Sequence, residues 1–332
     1  MLLLILARFL LVAVPASGVM RTLESKLVES CSRIEVFAGT EDVVIDYDTN
    51  WVFVSSSNRR QTSDQDGIFA FSLSDMAKVK RVSSSDLVDF HPHGISLWKQ
   101  AGETRLFVIS HQSTGENVVE IFVVGNDGML EHTETIAFAD MHSPNDLVAV
   151  GQRQFYASND RGTGNRVVAL AEQYLALPLS SAVYFDGQQG RVIASGLVSA
   201  NGINLSPDGK TVYISEPLRA RVAVYSRNLV TGALTPQRKI QVNTAVDNID
   251  IDPAGNLWIA GHSKIFDFLA HRQHASKIAP SHIIKLNPTN GEVEDVFIAL
   301  DGEINAASVG AVHNNTLVVG AVFDGHVMVC PL

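Results

Sequence analysis

The feature that most limits what this chain can fold into is a segment that recurs six times. Each copy opens on a polar signature: Glu41-Asp42, His91-Pro92-His93, Asn145-Asp146, Asn201-Gly202, Asp247-Asn248 and Ser308. A short apolar strand follows each opening, starting at Trp51, Leu106, Gln154, Val212, Leu257 and Leu317. A further strand comes after it, in the runs GIFAFSL, VVEIFVV, SAVYFD, ARVAVYS, HIIKLN and HVMVC. A period of about 50 residues with several strands per unit marks a β-propeller. The expected fold is all-β, a six-bladed propeller with a central tunnel, its ring closed by the N- and C-terminal strands. The innermost strand of every blade faces one axis, so acids, amides and histidines distant in sequence meet there.

Six blades consume nearly all of the 332 residues, leaving no room for a second domain. The organisation read from the sequence is a leader over 1–18, a linker or short helix over 19–30, and the propeller over 31–332. Apolar residues make up 46% of the chain, enough for a large core, and the net charge is −10 with no Lys/Arg cluster. That balance disfavours nucleic acid and anionic membrane surfaces as partners and suits a centre that attracts cations. The first twenty residues, MLLLILARFLLVAVPASGVM, read as a secretory signal with Ala16 or Gly18 as the cleavage point. Arg8 interrupts the apolar run and no Lys or Arg precedes it, which keeps a retained membrane anchor as the alternative. The expected location is secreted or periplasmic, with membrane association only through the leader. Cys31 and Cys330 stand near the two ends of the chain. They are either two unrelated buried thiols or, in an exported chain, a disulfide across the ring closure.

Asn126-Asp127-Gly128, Asp208-Gly209, Pro253-Ala254-Gly255-Asn256 and Asn290-Gly291 read as hairpin turns, so Asp127 and Asp208 are assigned no function. Three stretches break the compact pattern. Residues 57–66 are polar and strand-free, 161–179 contain the helical run ALAEQYLAL, and 262–280 carry Ile265, Phe266 and Phe268 among several His and Lys. Long connections on one face of a propeller cover or shape a site.

The openings supply four carboxylates, Glu41, Asp42, Asp146 and Asp247, and three amide oxygens, Asn145, Asn201 and Asn248. Oxygen donors without thiolates select a hard cation such as Ca²⁺, which takes about 6–8 oxygens. Four crowded carboxylates repel one another, and two divalent ions balance them. Any single Asn-Asp pair also suits an Asx turn. It is the recurrence in register that favours ligation. Among the eleven histidines, His93 occupies the ligand-equivalent position of the second blade, and His111 follows a strand of the same blade. Two neighbouring imidazoles over a metal can relay a proton; a satisfied core histidine beside a loop histidine is the plain alternative. His132, His142, His271, His274, His282, His313 and His326 read as surface or loop residues. There is no G-x-S-x-G elbow and no glycine-rich phosphate loop.

DFHPHGIS, SPNDLVAVGQRQFYASND, SANGINLSPDGKTVYISEPLRARVAVYS and AVDNIDIDPAGNLWIAGH resemble the paraoxonase/arylesterase family of calcium-dependent lactonases, from about Cys31 to Leu332. The resemblance implies two calcium ions in the tunnel and a Cys31–Cys330 disulfide. It places Glu41, Asn145, Asn201, Asp247 and Asn248 around a catalytic calcium. It places Asp42, Asp146 and the backbone carbonyl of Ile95 around a structural one. His93 and His111 match the family's histidine dyad, and His262 a further active-site histidine. His262, Ser308 and Val322 stand as candidates for binding the substrate. The rim departs from the family at 57–66, at Arg161-Gly162-Thr163 and at Ser199, so specificity does not carry over.

The expected activity is opening of lactones, with aryl esters as weaker substrates and phosphotriesters as promiscuous ones. The alternatives are a gluconolactonase-type sugar lactonase, which needs a polar rim, and a non-catalytic ligand-binding propeller, which needs neither dyad nor ligands. Lactone preference and oligomeric state are not legible in the sequence.

Overall fold

The computed structural model describes Gly18 and residues 21–61 and 63–332. The expected leader over 1–18 therefore lies outside the described residues, apart from Gly18. Twenty-four strands, β1 to β24 in chain order, form six antiparallel four-stranded sheets. This is the six-bladed propeller read from the sequence. The inner strands are β2 (Thr40–Ile45), β6 (Pro92–Gln100), β10 (Pro144–Ala149), β14 (Ile203–Leu205), β18 (Ala245–Ile251) and β22 (Ala307–His313). Five blades are consecutive runs of four strands. The sixth takes β22, β23 (Thr316–Ala321) and β24 (His326–Pro331) from the C-terminus and its outermost strand, β1 (Ser32–Glu35), from the N-terminus. Cys31 is disulfide-bonded to Cys330 across that closure, 299 residues away in sequence.

Each blade's sequence grades from apolar to polar outward, and its burial follows. Residues Phe155–Asn159 and Ser180–Phe185 of the third blade are buried throughout, being covered on both faces by neighbouring blades. The outermost strand Leu234–Gln241, with Arg238 and Lys239, is mostly exposed, and its charges discourage edge-to-edge pairing. The core is accordingly divided into six clusters, one per blade junction, with a small seventh of Ala279, Ala306 and Phe323. Phe53, Ile68 and Ala70 of the first blade meet Ile95, Leu106 and Phe122 of the second, and equivalent sets close the remaining junctions.

The inner strands share one irregularity. The pairing register slips by one residue at Glu41, at His93-Gly94, at Asn145-Asp146, at Asp247-Asn248 and at Ser308. In the fourth blade, the N–H of Asn201 donates to the carbonyl of Ser215, whose own N–H donates to the carbonyl of Gly202. Each slip is a β-bulge, which re-aims side chains that would otherwise alternate between faces. Consecutive polar residues are thereby buried together at the axis: Glu41 with Asp42, Asn145 with Asp146, Asp247 with Asn248. Gly94 and Gly202 allow the approach. A Cβ on Gly94 would lie 2.6 Å from Cα of Asp146, and one on Gly202 2.5 Å from the Asp247 carbonyl oxygen.

The helical run is realised as α1 (Arg166–Leu175), three residues earlier than ALAEQYLAL, and 262–280 contains a second helix, α2 (Ile265–Gln273). Residues 21–30 contain a 3₁₀ turn at Val28–Ser30 and a bridge from Lys26 to Ile298. His271, His282 and His326 are buried rather than on the surface. Partners satisfy their polarity: Asp295 and Ser263 bind His282, and the carbonyls of Lys277 and Glu303 accept from His271 and His326.

Candidate active site

The bulged openings and the mouth loops enclose a cavity of about 520 Å³. Its floor includes Glu41, His93, Asn145, Asn201, Asp247 and His262. Its upper wall is mainly apolar, with Leu175 of α1, Leu218, Ile265, Phe266, Phe268 and Leu269 of α2, and Val322, and is broken by Asp160, Gln173, Ser199 and Arg272. The mouth is clasped by Arg60 of the 57–66 loop, which donates to the His271 carbonyl at 2.7 Å and lies 4.2 Å over the Phe323 ring.

Four buried acceptor oxygens in or just behind the floor have no hydrogen-bond partner: Glu41 Oε2, Asn145 Oδ1, Asn201 Oδ1 and, behind the lining, Asn248 Oδ1. A buried acceptor left unmade costs about 1–3 kcal/mol, so four from four blades call for an electropositive partner, a cation or hydrogen-bond donors. A hard cation meets that need. Asp247 joins the set through a carboxylate whose Oδ2 accepts from His262 Nε2 at 2.9 Å. His262 stacks on Phe268, ring centroids 4.1 Å apart, which fixes its plane. Among the described residues no group of three or more His, Cys, Asp and Glu is arranged to hold a metal. Here the donor set is mostly amide. The donors present fit a calcium-type ion.

Behind this layer, Asp42 and Asp146 are bonded into the backbone. Asp42 accepts from the N–H groups of Val43 (2.9 Å) and Ile95 (2.7 Å), and Asp146 from those of Leu147 (2.7 Å) and Ile203 (2.8 Å). Each carboxylate thus ties its own inner strand to that of the next blade. Burial, then repulsion from Asp146 and Glu41, pushes the Asp42 carboxyl well above its usual range. Burial also raises Asp146 strongly, against its two backbone bonds, and raises Asp247 against the bond from His262. Burial opposes ionisation of Glu41 as well, but the neighbouring His93 outweighs it and holds that carboxyl low. A cation would relieve the three raised groups together.

The two histidines of the second blade are in contact. His93 Nδ1 lies 2.7 Å from His111 Nε2, and His111 Nδ1 lies 2.7 Å from Asn117 Oδ1. His93 Nε2 stands 3.4 Å from Glu41 Oε2 without hydrogen-bond geometry. Burial, then the charges of His93 and Arg59, lowers His111 to about 3, so its ring is neutral at physiological pH.

The structure moves Ser308 from the substrate rim to a supporting place. It is fully buried, outside the cavity lining, and donates to the Glu41 carbonyl at 2.6 Å. Ile95 is met at its N–H, by Asp42. Two residues escaped the sequence reading. Asn117 pairs across the β7–β8 hairpin with His111 (β7 Glu103–His111, β8 Asn117–Val124), a register signal that counting from the hairpin would have exposed. Arg59 lines the cavity beside His93, and its Nη2 donates to the Pro92 carbonyl at 3.3 Å. Burial lowers its pKa, and among the described residues it makes no ion pair.

A six-bladed propeller with a polar, oxygen-lined axis and a histidine pair at the cavity floor defines the class. The arylesterase family model matches residues 74–332, and the chain belongs to the paraoxonase/arylesterase family. It is 33% identical over 246 residues to human serum paraoxonase/arylesterase 1, covering 73% of this chain and 68% of that protein. It is 34% identical over 245 residues to chicken serum paraoxonase/arylesterase 2, covering 72% and 68%. Among solved structures, a luciferin-regenerating enzyme superposes with a TM-score of 0.60 at 18% identity, covering 93% of this chain and 95% of that one. A gluconolactonase from Xanthomonas campestris does so at 0.59 and 15%, covering 92% and 91%. The structural likenesses speak for the fold.

Proposed function

We propose that this chain is a calcium-dependent hydrolase that opens lactones and cleaves aryl esters. The observation that carries the reading is the meeting of four unpartnered oxygens with a histidine pair at the floor of an apolar cavity. Family membership supports it. Glu41, Asn145, Asn201, Asp247 and Asn248 would hold one ion at the cavity floor, and Asp42 and Asp146, with the Ile95 carbonyl, a second beneath. When bound, the floor cation polarises the ester carbonyl and stabilises the negative charge that develops on its oxygen.

The remaining steps belong to the chain's own side chains. Leu175, Leu218, Ile265, Phe266 and Phe268 hold the apolar body of the substrate and exclude bulk water. His93 Nε2 faces the cavity and takes a proton from the attacking water, while His111 holds the His93 ring. Arg59 offers guanidinium donors to the carboxylate that hydrolysis produces. His262 orients Asp247. The apolar wall favours hydrophobic lactones over sugar lactones, whose hydroxyl groups need several polar partners. The disulfide suits an oxidising compartment and thus export.

The test is a lactone panel of varied ring and chain length, assayed with calcium and after its removal. Calcium-dependent turnover that favours apolar side chains is the expected outcome. Equal turnover without calcium on an intact fold refutes the assignment.

A further inference from the structure

We propose that Asn117 is a positioning residue. Its amide oxygen selects the tautomer of His111 and, through it, leaves the Nε2 lone pair of His93 facing the cavity. The inference rests on the hydrolase reading above and adds to it the element that orients the base.

The argument runs outward from Asn117. Its Nδ2 donates to the carbonyls of His142 at 3.1 Å and Met141 at 3.4 Å. Both carbonyls are acceptors only, so the amide nitrogen is committed to them and Oδ1 must face His111. Oδ1 cannot donate, and it lies 2.7 Å from His111 Nδ1. The proton of neutral His111 therefore sits on Nδ1, and its Nε2 carries a lone pair. That lone pair lies 2.7 Å from His93 Nδ1, which must then be the protonated nitrogen of His93. On a neutral His93, Nε2 is then left as an acceptor at the cavity floor, 3.4 Å from the Glu41 carboxylate that the proposed cation would engage.

The alternative tautomer shows why this matters. With the proton on His111 Nε2, the same contact would force the lone pair of His93 onto Nδ1. His93 would then present an N–H to the cavity and could not accept a proton from water. Asn117 Oδ1 is the partner at His111 Nδ1 that distinguishes the two arrangements. Burial supports the argument, because it keeps His111 neutral and so confined to a single proton. The hairpin register makes the device rigid, since His111 and Asn117 are directly paired residues of adjacent strands. A partner that orients a reactive imidazole through its far nitrogen is a recurrent arrangement, commonly worth about 10–100-fold.

The experiment uses the full-length, calcium-loaded protein labelled with ¹⁵N-histidine. Long-range ¹H–¹⁵N spectra report which ring nitrogen of each histidine carries the proton. In the unchanged protein, His111 and His93 should both appear protonated at Nδ1. His111 protonated at Nε2 overturns the proposal without any variant. Asn117→Leu removes the acceptor and keeps the size. It should lower kcat for a γ-lactone by about 10–100-fold with KM nearly unchanged, and its spectrum should show loss of the single tautomer. Asn117→Asp keeps the acceptor toward His111 but gives up the bonds to the His142 and Met141 carbonyls, so it should retain the tautomer and lose less rate than Asn117→Leu. Equal losses in the two variants would make Asn117 merely structural and overturn the proposal, as would a full rate in Asn117→Leu. If neither substrate class is hydrolysed by the unchanged protein, the hydrolase reading fails, whereas the tautomer assignment still stands or falls on the spectra.

Discussion

Glu41 and Asp42 are neighbours in sequence, as are Asn145 and Asp146, yet the two members of each pair have opposite surroundings. Glu41 and Asn145 each end in one oxygen without a partner and line the cavity. Asp42 and Asp146 sit one layer deeper, and both oxygens of each accept backbone N–H groups from two blades. The bulge is what separates them, because it lets adjacent residues share the axis at different depths. The upper layer is built to receive a ligand. The lower layer stitches the inner strands together around the proposed second ion. The same residue types therefore serve binding in one place and architecture in the other.

The largest expected effect comes from setting the layers against each other. Calcium removal should abolish lactone hydrolysis while circular dichroism still reports a folded propeller. Asn201→Ala should reproduce this through lost calcium affinity, with little change in Tm. Asp146→Ala should instead lower Tm sharply, since it orphans the N–H groups of Leu147 and Ile203, each worth about 1–3 kcal/mol when buried. Equal Tm losses for Asn201→Ala and Asp146→Ala would erase the distinction. Next in size is the base. His93→Gln should lower turnover by about 10²–10⁴ with calcium content unchanged, because no proposed ligand is touched. Near-normal turnover in calcium-loaded His93→Gln protein would pass the base role to a carboxylate.

How much of this was legible in sequence differs between the layers and the rim. Six in-register openings announced the propeller, because a ring of blades imposes the same local chemistry at the same depth. The ligand set could be read for that reason: each member repeats a position. Asn117 repeats no such position; it belongs to one hairpin and shows only when that hairpin's register is counted out to His111. Ser308 was misplaced for a related reason. Its register position is right, but a side chain as short as serine reaches only the Glu41 carbonyl and never the cavity. The helices over the mouth were the least legible, since no repeat constrains them and tertiary contacts decide their ends. Glu172 illustrates this, accepting from the Gly162 N–H at 2.9 Å and so tying α1 back to its own loop.

A third comparison sets the ring's closure against its axis. The Cys31–Cys330 bond joins β1 to the blade that completes the ring, far from the cavity floor. Chain-entropy models assign a loop of this length about 5 kcal/mol, although engineered cases fall short of it. Replacing both cysteines with alanine should lower thermal stability by an amount up to that size, with kcat at low temperature unchanged. Two titratable thiols in the denatured, unreduced protein would show that the bond does not form.

The smallest effect is a difference of pH dependence. In the cation-free protein Asp42, Asp146 and Asp247 have raised pKa values, so the fold binds protons there more tightly than the unfolded chain. That contribution to stability is present below the ordinary carboxylate value of about 4 and is lost as pH rises through the folded values. His111, lowered to about 3, and His282, also lowered by burial, act in the other direction. Their contribution is present above about 6.5 and fades as pH falls, whether or not a cation is bound. Calcium replaces the protons of the first group and leaves the second alone. The Tm difference between loaded and chelated protein should therefore widen by several degrees from pH 5 to pH 8. Substituting Asp146 with asparagine should shrink that widening, because one raised carboxyl is gone from the axis. A Tm difference that stays constant across this range would mean that the axial carboxylates are not what the cation neutralises, and the contrast between the two layers would lose its electrostatic basis.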